Sequence, residues 1–472
     1  MKLRLKVLTE NELDRIHAAS LKILKDTGCV FHSEEALGIL KQHGARVSNK
    51  TVYFSSEMVE TALGRVPPVF KWTARNHKRS TTIGEGGFRL APNAGNINVQ
   101  DLDHGRRRAT LQDVGRIQTI HQLSDVTDFV GNNPCDPSDV DPAKKHLHIT
   151  YEILKHTDKP LMSYFGPYPG QAAEILQMVK IAFGDDDILT RKHVIGLGVP
   201  PTSPLSYAQD VLHAITEFAR NSQPVLIVPA AMGGVTAPIN LMGIALQQNA
   251  ELLAGTVYVQ MVNPGNPVVW TPSSTVAWLR TASYNTGTPE AMLPNLAILQ
   301  MARDFYHLPT RSMAGLTDSK AVDCQAGYET MQNLTLAMLG GAQIIYEALG
   351  VLDSIMTTSY EKIIIDEELY RRAKRICEGL DTSDEAFSLD LIEEVGCEGE
   401  YLSHPSTLTK VRDMWQPSVS DWNNYTDWEK DTSRELLAQA NTIWKRRLQD
   451  APETFMDVTL GRDLKQFIRL HQ

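Results

Sequence analysis

The sequence lacks the features that mark secreted and membrane-spanning proteins. Its five cysteines are scattered and form no C-x-x-C pair, which is typical of a chain kept in a reducing cytoplasm. The longest apolar runs, such as PVLIVPAAM at 224–232, fall far short of the roughly 20 residues that a spanning helix needs. The opening MKLRLKVLTENELDRIH has no continuous apolar stretch of the kind found in signal peptides. We therefore expect a cytoplasmic protein with no membrane partner.

Positive charge is also scarce. The formal net charge is −10, whereas nucleic-acid binding needs a clustered positive footprint. The one basic run, HGRRRAT at 104–110, lies beside Asp101 and Asp103, and we interpret it as a solvated turn. No nucleic-acid partner is expected.

Metal-ligand and dinucleotide-binding spacings are missing as well. HLH at 146–148 places two histidines at i and i+2, which point apart on a helix, and no other group reaches ligand spacing. No G-x-G-x-x-G motif follows an early strand, which disfavours a doubly wound sheet. We predict no zinc or other metal site.

What is present is a repeated theme from about residue 90. A short apolar or β-branched run is followed by Gly, Pro and Asn, and then by a longer stretch with helical periodicity, such as 207–221 and 237–255. Most repeats span roughly 30 to 36 residues, the length of a βα unit. The pattern predicts an α/β fold, a (β/α)₈ TIM barrel, with the loop at 264–281 over its mouth. The eight predicted strands are FRLAPNAG (from 88), TDFVGNNPCDP (127), PLMSYFGPYPG (160), HVIGLGVPPTSP (193), PVLIVPAAMGG (224), TVYVQMVNPGN (256), LPTRSMAGLTDSK (308) and AQIIYEALG (342).

The regions on either side of these repeats have a different character. Residues 1–85 are predicted as a helical region, with Thr9 and Glu12 as a capping box at the start of a helix that Gly28 stops. Residues 86–375 form the predicted barrel, and 376–472 an acidic helical extension. Both flanks are expected to pack on the barrel or on another subunit, so we expect a homo-oligomer.

Functional residues of such a barrel belong to the loops after its strands. Asp318, just before a helical pattern, is interpreted first as a helix N-cap and second as a residue of the rim. Asp323 and Gln325 are weaker candidates. Glu347 lies in an apolar strand end, where an ionised carboxylate needs a partner, so it is either part of a structural ion pair or a site residue.

Other strand ends carry amides and aromatic rings that suit a small polar or cationic molecule. The candidates for binding it are Asn93, Tyr164, Phe165, Asn263 and Trp270. Lys320 raises the alternative of a Schiff-base lyase, but its acidic and polar neighbours favour a surface ion pair.

Three long stretches resemble the trimethylamine methyltransferase family. They are LTENELDRIHAASLKILKDTGCVFHSEEAL near the start, the block from NTGTPEAMLPNLAILQ to AQIIYEALG, and IIIDEEL at 363–369. The resemblance implies a (β/α)₈ barrel that transfers a methyl group to a corrinoid carried by a separate protein, with no cofactor bound by the chain itself. Members that act on trimethylamine contain pyrrolysine near the position of Leu316, whereas this chain has standard residues only. It therefore resembles the branch that demethylates quaternary amines such as glycine betaine, proline betaine or carnitine.

This resemblance carries expectations for the site. A betaine would be recognised through its own carboxylate by amides, backbone N–H groups, a histidine or Arg311, with Leu316 beside it. A protein that binds a betaine without catalysis remains the alternative from another class.

Overall fold

The computed structural model describes residues 3–92, 95–130, 133–166, 168–430 and 435–471. Helices and strands alternate through most of these ranges, so the predicted α/β class is confirmed. No helix within the described ranges combines the length and the apolar character needed to cross a membrane.

The N-terminal region contains short strands as well as helices. Thr9 and Glu12 form the predicted capping box, and the first helix ends just before Gly28, as expected. Three-residue strands, which the sequence did not indicate, pair between and after the helices. The elements are α1 (Glu10–Asp26), β1 (Cys29–Phe31), α2 (Glu34–Gln42), β2 (Arg46–Ser48), β3 (Thr51–Tyr53), α3 (Ser56–Arg65), β4 (Phe70–Trp72) and β5 (Thr81–Ile83).

The middle of the chain repeats strand and helix. A π-helical turn, Met301–Phe305, extends one of its helices. The elements are β6 (Arg89–Leu90), β7 (Asn98–Asp101), β8 (Gly105–Arg108), α4 (Leu111–Leu123), α5 (Lys145–His156), β9 (Leu161–Met162), α6 (Gln171–Phe183), α7 (Ile188–Arg191), β10 (Ile195–Val199), β11 (Ser206–Tyr207), α8 (Gln209–Arg220), β12 (Val225–Ile227), β13 (Met232–Gly233), α9 (Leu241–Val262), β14 (Val268–Trp270), β15 (Thr275–Trp278), β16 (Ser283–Tyr284), α10 (Pro289–Gln300), β17 (Arg311–Met313), α11 (Cys324–Leu339), β18 (Ile344–Tyr346), β19 (Val351–Leu352), β20 (Thr357–Ser359) and α12 (Tyr360–Glu378).

Two groups of these strands are parallel. One has the order β14-β12-β10-β9 and the other β17-β18-β6, and a parallel bridge between Trp270 and Thr310 joins them. Between β6 and β9, Phe129 N–H donates to the Leu90 carbonyl and Val130 N–H to the Pro160 carbonyl, both at 3.1 Å. Neighbours in space thus follow chain order, and their carboxyl ends lie on one side.

One predicted strand was wrong. TVYVQMV at 256–262 is the end of α9, a helix whose residues from Gln248 to Met261 are all buried. A helix that is apolar on every side carries no 3.6-residue period, so its last turns look like a buried strand. The true strand is β14, which lies inside the segment predicted to be a loop.

The basic run at 104–110 is also not a turn. Residues 105–108 form β8, which pairs antiparallel with β7. Arg107 forms a bidentate ion pair with Asp113, with two N–H···O hydrogen bonds of 2.7 Å each. This pair compensates the charge of the buried Asp113 carboxylate. Arg106 donates to Asp353 at 3.1 Å.

A hairpin from the N-terminal region packs against the parallel strands near their amino ends. Phe70 and Trp72 of β4 form one apolar cluster with inward residues of the strands, including Leu226 and Val269. A Cβ placed on Gly196 of β10 would lie 2.2 Å from the Trp72 ring, so only glycine fits there. The hairpin therefore covers the strands at this end.

The C-terminal region is helical, as predicted. Its elements are α13 (Asp384–Phe387), α14 (Leu389–Val395), α15 (Pro405–Lys410), α16 (Tyr425–Trp428), α17 (Leu436–Asp450) and α18 (Val458–Leu470). Helices α17 and α18 pack on the body: α17 contacts α12 and α4, and α18 contacts α5 and α6.

Candidate functional site

Arg311 is a buried cation on β17, one of the parallel strands. Its side chain is 3% exposed, and its guanidinium carbon lies 3.5 Å from the ring centroid of Tyr346 on the neighbouring strand β18. Within the described residues the guanidinium forms no ion pair within 4.0 Å, and Nε has no hydrogen-bond partner. Burial lowers the pKa of Arg311, while Tyr346 and Glu347 oppose the shift. Arginine keeps its proton in such surroundings, so an unpaired positive charge is held inside the fold.

Glu347 directly follows β18 and is also buried. It is 8% exposed, its backbone has φ +57°, and Oε2 has no hydrogen-bond partner in the part of the chain that the structure describes. Burial raises the pKa of Glu347 to about 7, although Arg311 partly offsets the effect. A left-handed conformation at a non-glycine residue beside an unsatisfied carboxyl is characteristic of functional sites.

Tyr284 lies close enough to Glu347 and Asp318 for their charges to act on its hydroxyl. Its hydroxyl donates to the Ser273 carbonyl, and burial, followed by the charges of Glu347 and Asp318, raises the Tyr284 pKa. Sequence reasoning missed this residue. It lies three residues beyond 264–281, the segment expected to cover the mouth, and this closeness was the available signal.

Asp318 is not a helix cap. Its carboxylate accepts hydrogen bonds from Thr286 N–H (2.8 Å) and Oγ1 (3.0 Å), Gly287 N–H (3.0 Å) and Ser354 Oγ (2.7 Å). The N-cap of α11 is Asp323, which accepts from Ala326 N–H at 2.9 Å. Five residues separate Asp318 from the first residue of α11, so it is free to join three loops instead.

Two residues of α11, one turn apart, complete this loop network and were not foreseen. Glu329 accepts from Thr317 Oγ1 at 2.5 Å and from Asp318 N–H at 2.8 Å. Asn333 donates to the carbonyls of Thr286 (3.0 Å) and Leu316 (2.9 Å). Spacing of i and i+4 on a polar helix face was the available signal.

Leu316 is buried beside the same loops. It is 4% exposed and lines a cavity of about 20 Å³ together with Tyr284 and Met313. The structure therefore brings Leu316, Asp318, Arg311 and Glu347 to the same side of the parallel strands.

Tyr164 and Phe165 follow β9 and are half-buried. Burial, with smaller contributions from Asp136 and Tyr168, raises the pKa of Tyr164 to about 12, so this phenol is neutral at physiological pH. Asn93 lies outside the described residues.

Two predicted binding residues lie elsewhere. The Trp270 ring packs on Tyr306, with centroids 5.3 Å apart, and belongs to the core cluster between strands and helices rather than to the cluster that holds Tyr346. Asn263 is the C-cap of α9, and its amide donates to the Ala219 carbonyl and Ser222 Oγ. Asn263 precedes β14 and therefore lies at the amino end of that strand, opposite the end that bears Glu347. The reason is that the strand predicted at 256–262 is the end of helix α9.

Lys320 is exposed rather than desolvated. Its side chain is 74% exposed, and Nζ donates to the Asp318 carbonyl at 2.6 Å and lies 3.9 Å from Asp353. Schiff-base chemistry needs a lysine whose pKa is lowered by burial, which this position does not provide.

One cluster among the described residues has the composition of a cation site. Asp101, Asp103 and His104 place ligand atoms within 4.8 Å of one another on the turn between β7 and β8. Asp103 already pairs with Lys445 at 2.6 Å, and Asp101 binds His104 and nearby backbone N–H groups. These partners account for the charges, so we assign no metal here.

Comparison with known proteins identifies the family. The family model described as trimethylamine methyltransferase (MTTB) matches residues 2–472. The chain belongs to this family. As a trimethylamine methyltransferase family member it is an enzyme of the methyltransferase class.

Two curated relatives and one solved structure illustrate the similarity. A glycine betaine methyltransferase of Desulfitobacterium hafniense is 33% identical over 98% of this chain and 96% of its own length. A proline betaine:corrinoid methyltransferase of Eubacterium limosum is 33% identical over 87% of this chain and 86% of its own. The crystal structure of the Methanosarcina barkeri monomethylamine methyltransferase covers 94% of this chain and 88% of its own, with a TM-score of 0.54 and 11% identity, and supports the fold alone.

Proposed function

We propose that this family member transfers a methyl group from a quaternary amine, with glycine betaine as the leading substrate, to the Co(I) of a separate corrinoid protein. The observation that carries the proposal is similarity along nearly the whole chain to a relative named for glycine betaine. A second relative is named for a betaine and a corrinoid. The absence of pyrrolysine from the chain agrees with a quaternary substrate.

We also infer that the parallel strands close into the eight-stranded barrel predicted from the sequence. Support comes from the bridge between Trp270 and Thr310 and from the hydrogen bonds of residues 129 and 130 to the strands on both sides. Residues 86–375 would then form the barrel, with 1–85 and 376–472 packed around it. In such a barrel the carboxyl ends of the strands form the active-site face.

The chemistry favours a quaternary amine. Attack by Co(I) on the methyl carbon leaves the C–N electron pair on nitrogen, so the product is a neutral tertiary amine that needs no proton. Because positive charge on nitrogen disappears in the transition state, a carboxylate in contact with nitrogen would stabilise the substrate more than the transition state. Aromatic faces hold the cation less tightly, at about 0.5 to 2 kcal/mol each, and exclude water. Tyr164 and Phe165 are the described candidates for this role.

Arg311 supports a substrate that carries its own carboxylate. A buried guanidinium without an acidic partner is costly unless an anion joins it. A Cβ on Gly198 would lie 3.9 Å from Nη1, so the guanidinium extends from β17 towards β10. We propose that it forms a charge-assisted pair with the carboxylate of a betaine, which trimethylamine lacks.

The corrinoid protein needs a docking surface near this site. Val235, Ile239, Trp278 and Leu279, here called the apolar rim, are between 48% and 60% exposed, and a Cβ on Gly234 would touch both Ile239 and Leu279. They lie on or beside the sheet β13-β15-β16, above the carboxyl ends of the parallel strands and next to Tyr284. We propose that the corrinoid protein docks on the apolar rim, because its cobalt must reach the methyl group from this side.

A spectroscopic assay tests the function. The enzyme is mixed with a reduced corrinoid protein and glycine betaine, proline betaine, carnitine or trimethylamine, and the visible spectrum of the corrinoid is followed. We expect loss of the Co(I) spectrum with at least one quaternary amine and none with trimethylamine. Comparable turnover of trimethylamine would contradict the substrate class. Calorimetric binding of a betaine without any spectral change would favour the non-catalytic alternative, and borohydride trapping of a substrate on Lys320 would favour the lyase.

A further inference from the structure

Residues 379–414, here called the acidic segment, contribute nothing to the core. All of them are described, and none is buried. The three helices within the segment, α13, α14 and α15, each lack a buried residue. An ordinary surface helix buries one stripe against the body, so these helices present faces without a partner.

The composition of the acidic segment is unusual for an exposed surface. It carries nine Asp and Glu residues against two Lys and Arg, a formal charge of −7. Nine of its large apolar side chains are exposed, and the most exposed are Leu402 (80%), Leu380 (77%), Met414 (66%), Leu389 (64%), Leu408 (63%) and Phe387 (60%). Single exposed apolar residues are normal, but a concentration of this size marks an interaction surface.

The segment is held at both ends. It begins where α12 ends, and it is followed by residues that α12 binds: Glu368 accepts from Ser418 N–H at 2.8 Å and from Val419 N–H at 2.7 Å. The Arg372 guanidinium lies 4.4 Å from the Trp415 ring centroid. The exposed apolar side chains therefore belong to a segment that is attached to the body at both ends, not to a free terminus.

The accessible surface of the whole chain agrees with an unpaired interface. A folded monomer of 52.5 kDa is expected to expose about 17,600 Å². This chain exposes 20,923 Å², an excess of about 3,300 Å². Obligate homodimer interfaces bury roughly 2,000 to 5,000 Å² in total, so the excess is of the size that oligomerisation removes.

We propose that the acidic segment is an interface with a second copy of this chain. Position argues against the corrinoid protein as occupant, because the segment begins at the far end of α12, 19 residues and about 28 Å from the strand ends where the methyl group must be reached. Two segments of −7 would repel each other more strongly than one segment and the remainder of the chain, which carries −3 of the total −10. The lower repulsion favours packing of the segment of one copy on the body of the other.

The test measures molar mass in solution. Sedimentation equilibrium of the full chain is compared with that of the variant Leu402→Asp/Leu408→Asp and of the control Val458→Asp, which changes an apolar residue that is 91% exposed on α18. We expect a dimer or larger assembly for the wild type and the control. The double variant should have a dissociation constant at least tenfold higher and approach the 52.5 kDa monomer.

Two results would overturn the proposal: a wild-type chain that is monomeric at micromolar concentration, or a double variant that assembles like the wild type. Hydrogen exchange of the wild type gives an independent reading that requires no variant. Amides of α14 and α15 should gain protection as the protein concentration rises, and protection independent of concentration would count against the interface.

Discussion

The guanidinium of Arg311 lies 3.5 Å from the ring centroid of Tyr346, and no carboxylate among the described residues pairs with it. Stacking on an aromatic face offsets only part of the desolvation of a buried charge. The fold therefore keeps a cation that a carboxylate ligand would stabilise.

Replacing Arg311 separates substrate recognition from folding. We expect Arg311→Met to raise the KM for glycine betaine by roughly tenfold to hundredfold, because a hydrogen bond to a charged group contributes about 1.5 to 3 kcal/mol. The melting temperature should stay the same or rise, since an unpaired buried charge is removed. Tetramethylammonium, which has no carboxylate, is the matched control substrate. If its turnover falls as much as that of glycine betaine, Arg311 supports the fold of the site and does not read the carboxylate.

Glu347 should make stability depend on pH. Its pKa is raised from 4.5 to about 7, so the folded state binds more protons than the unfolded state between these values. The free energy of unfolding should therefore fall as pH rises from about 4.5 to 7, by about 3 kcal/mol from this group. Glu347→Gln should remove this part of the decline and melt higher than wild type at pH 8. Equal pH dependence in both proteins, measured by urea denaturation at pH 5 and pH 8, would show that Glu347 is ionised throughout.

Asp318 and Asp323 form a matched pair that distinguishes loop joining from helix capping. Asp318→Asn leaves one accepting oxygen for four donors, so we expect a loss of about 1 to 3 kcal/mol in stability together with reduced methyl transfer. Asp323→Asn keeps a capping oxygen and should behave like wild type. Thermal melts and the spectral assay check both. Normal melting of Asp318→Asn with abolished transfer would indicate that its charge acts directly.

The apolar rim can be tested by adding a charge. Leu279→Glu should raise the KM for the corrinoid protein at least tenfold and leave calorimetric binding of the amine unchanged, because Leu279 is 60% exposed and contributes nothing to the core. Val458→Glu, far from the parallel strands' carboxyl ends, serves as the control. An unchanged KM for the corrinoid protein in Leu279→Glu would place docking elsewhere.

Local sequence signals were enough for much of the fold. The capping box of Thr9 and Glu12 and the amphipathic pattern of α8 were readable because their partners lie within a few residues. The end of α9 was not, because a helix buried on all sides has lost the polar face that sets its period. Because the end of α9 was taken for a strand, Asn263 was wrongly predicted to lie at the carboxyl end of a strand, and Trp270, which ends β14, to lie in a loop.

The site was partly predictable for the same reason. Glu347 stands out in sequence because a charged residue in an apolar strand end is costly. Arg311 was named because the resemblance implies a substrate whose carboxylate needs a partner. The network of Asp318, Glu329 and Asn333 consists of hydrogen bonds between residues up to 47 positions apart, and no local pattern encodes such contacts. Asp318 precedes a helix and so resembles a cap, although Asp323 takes that role.

The hairpin β4–β5 has a kinetic consequence. Phe70 and Trp72 pack against the strands near their amino ends. If the protein has the proposed function, the amine and the cobalt therefore approach from the same side. A corrinoid protein seated on the apolar rim would then cover the route by which the amine arrives. We expect an ordered sequence in which the amine enters first and the tertiary amine departs after the methylated corrinoid protein. Excess corrinoid protein should then slow turnover by trapping the tertiary amine in the site.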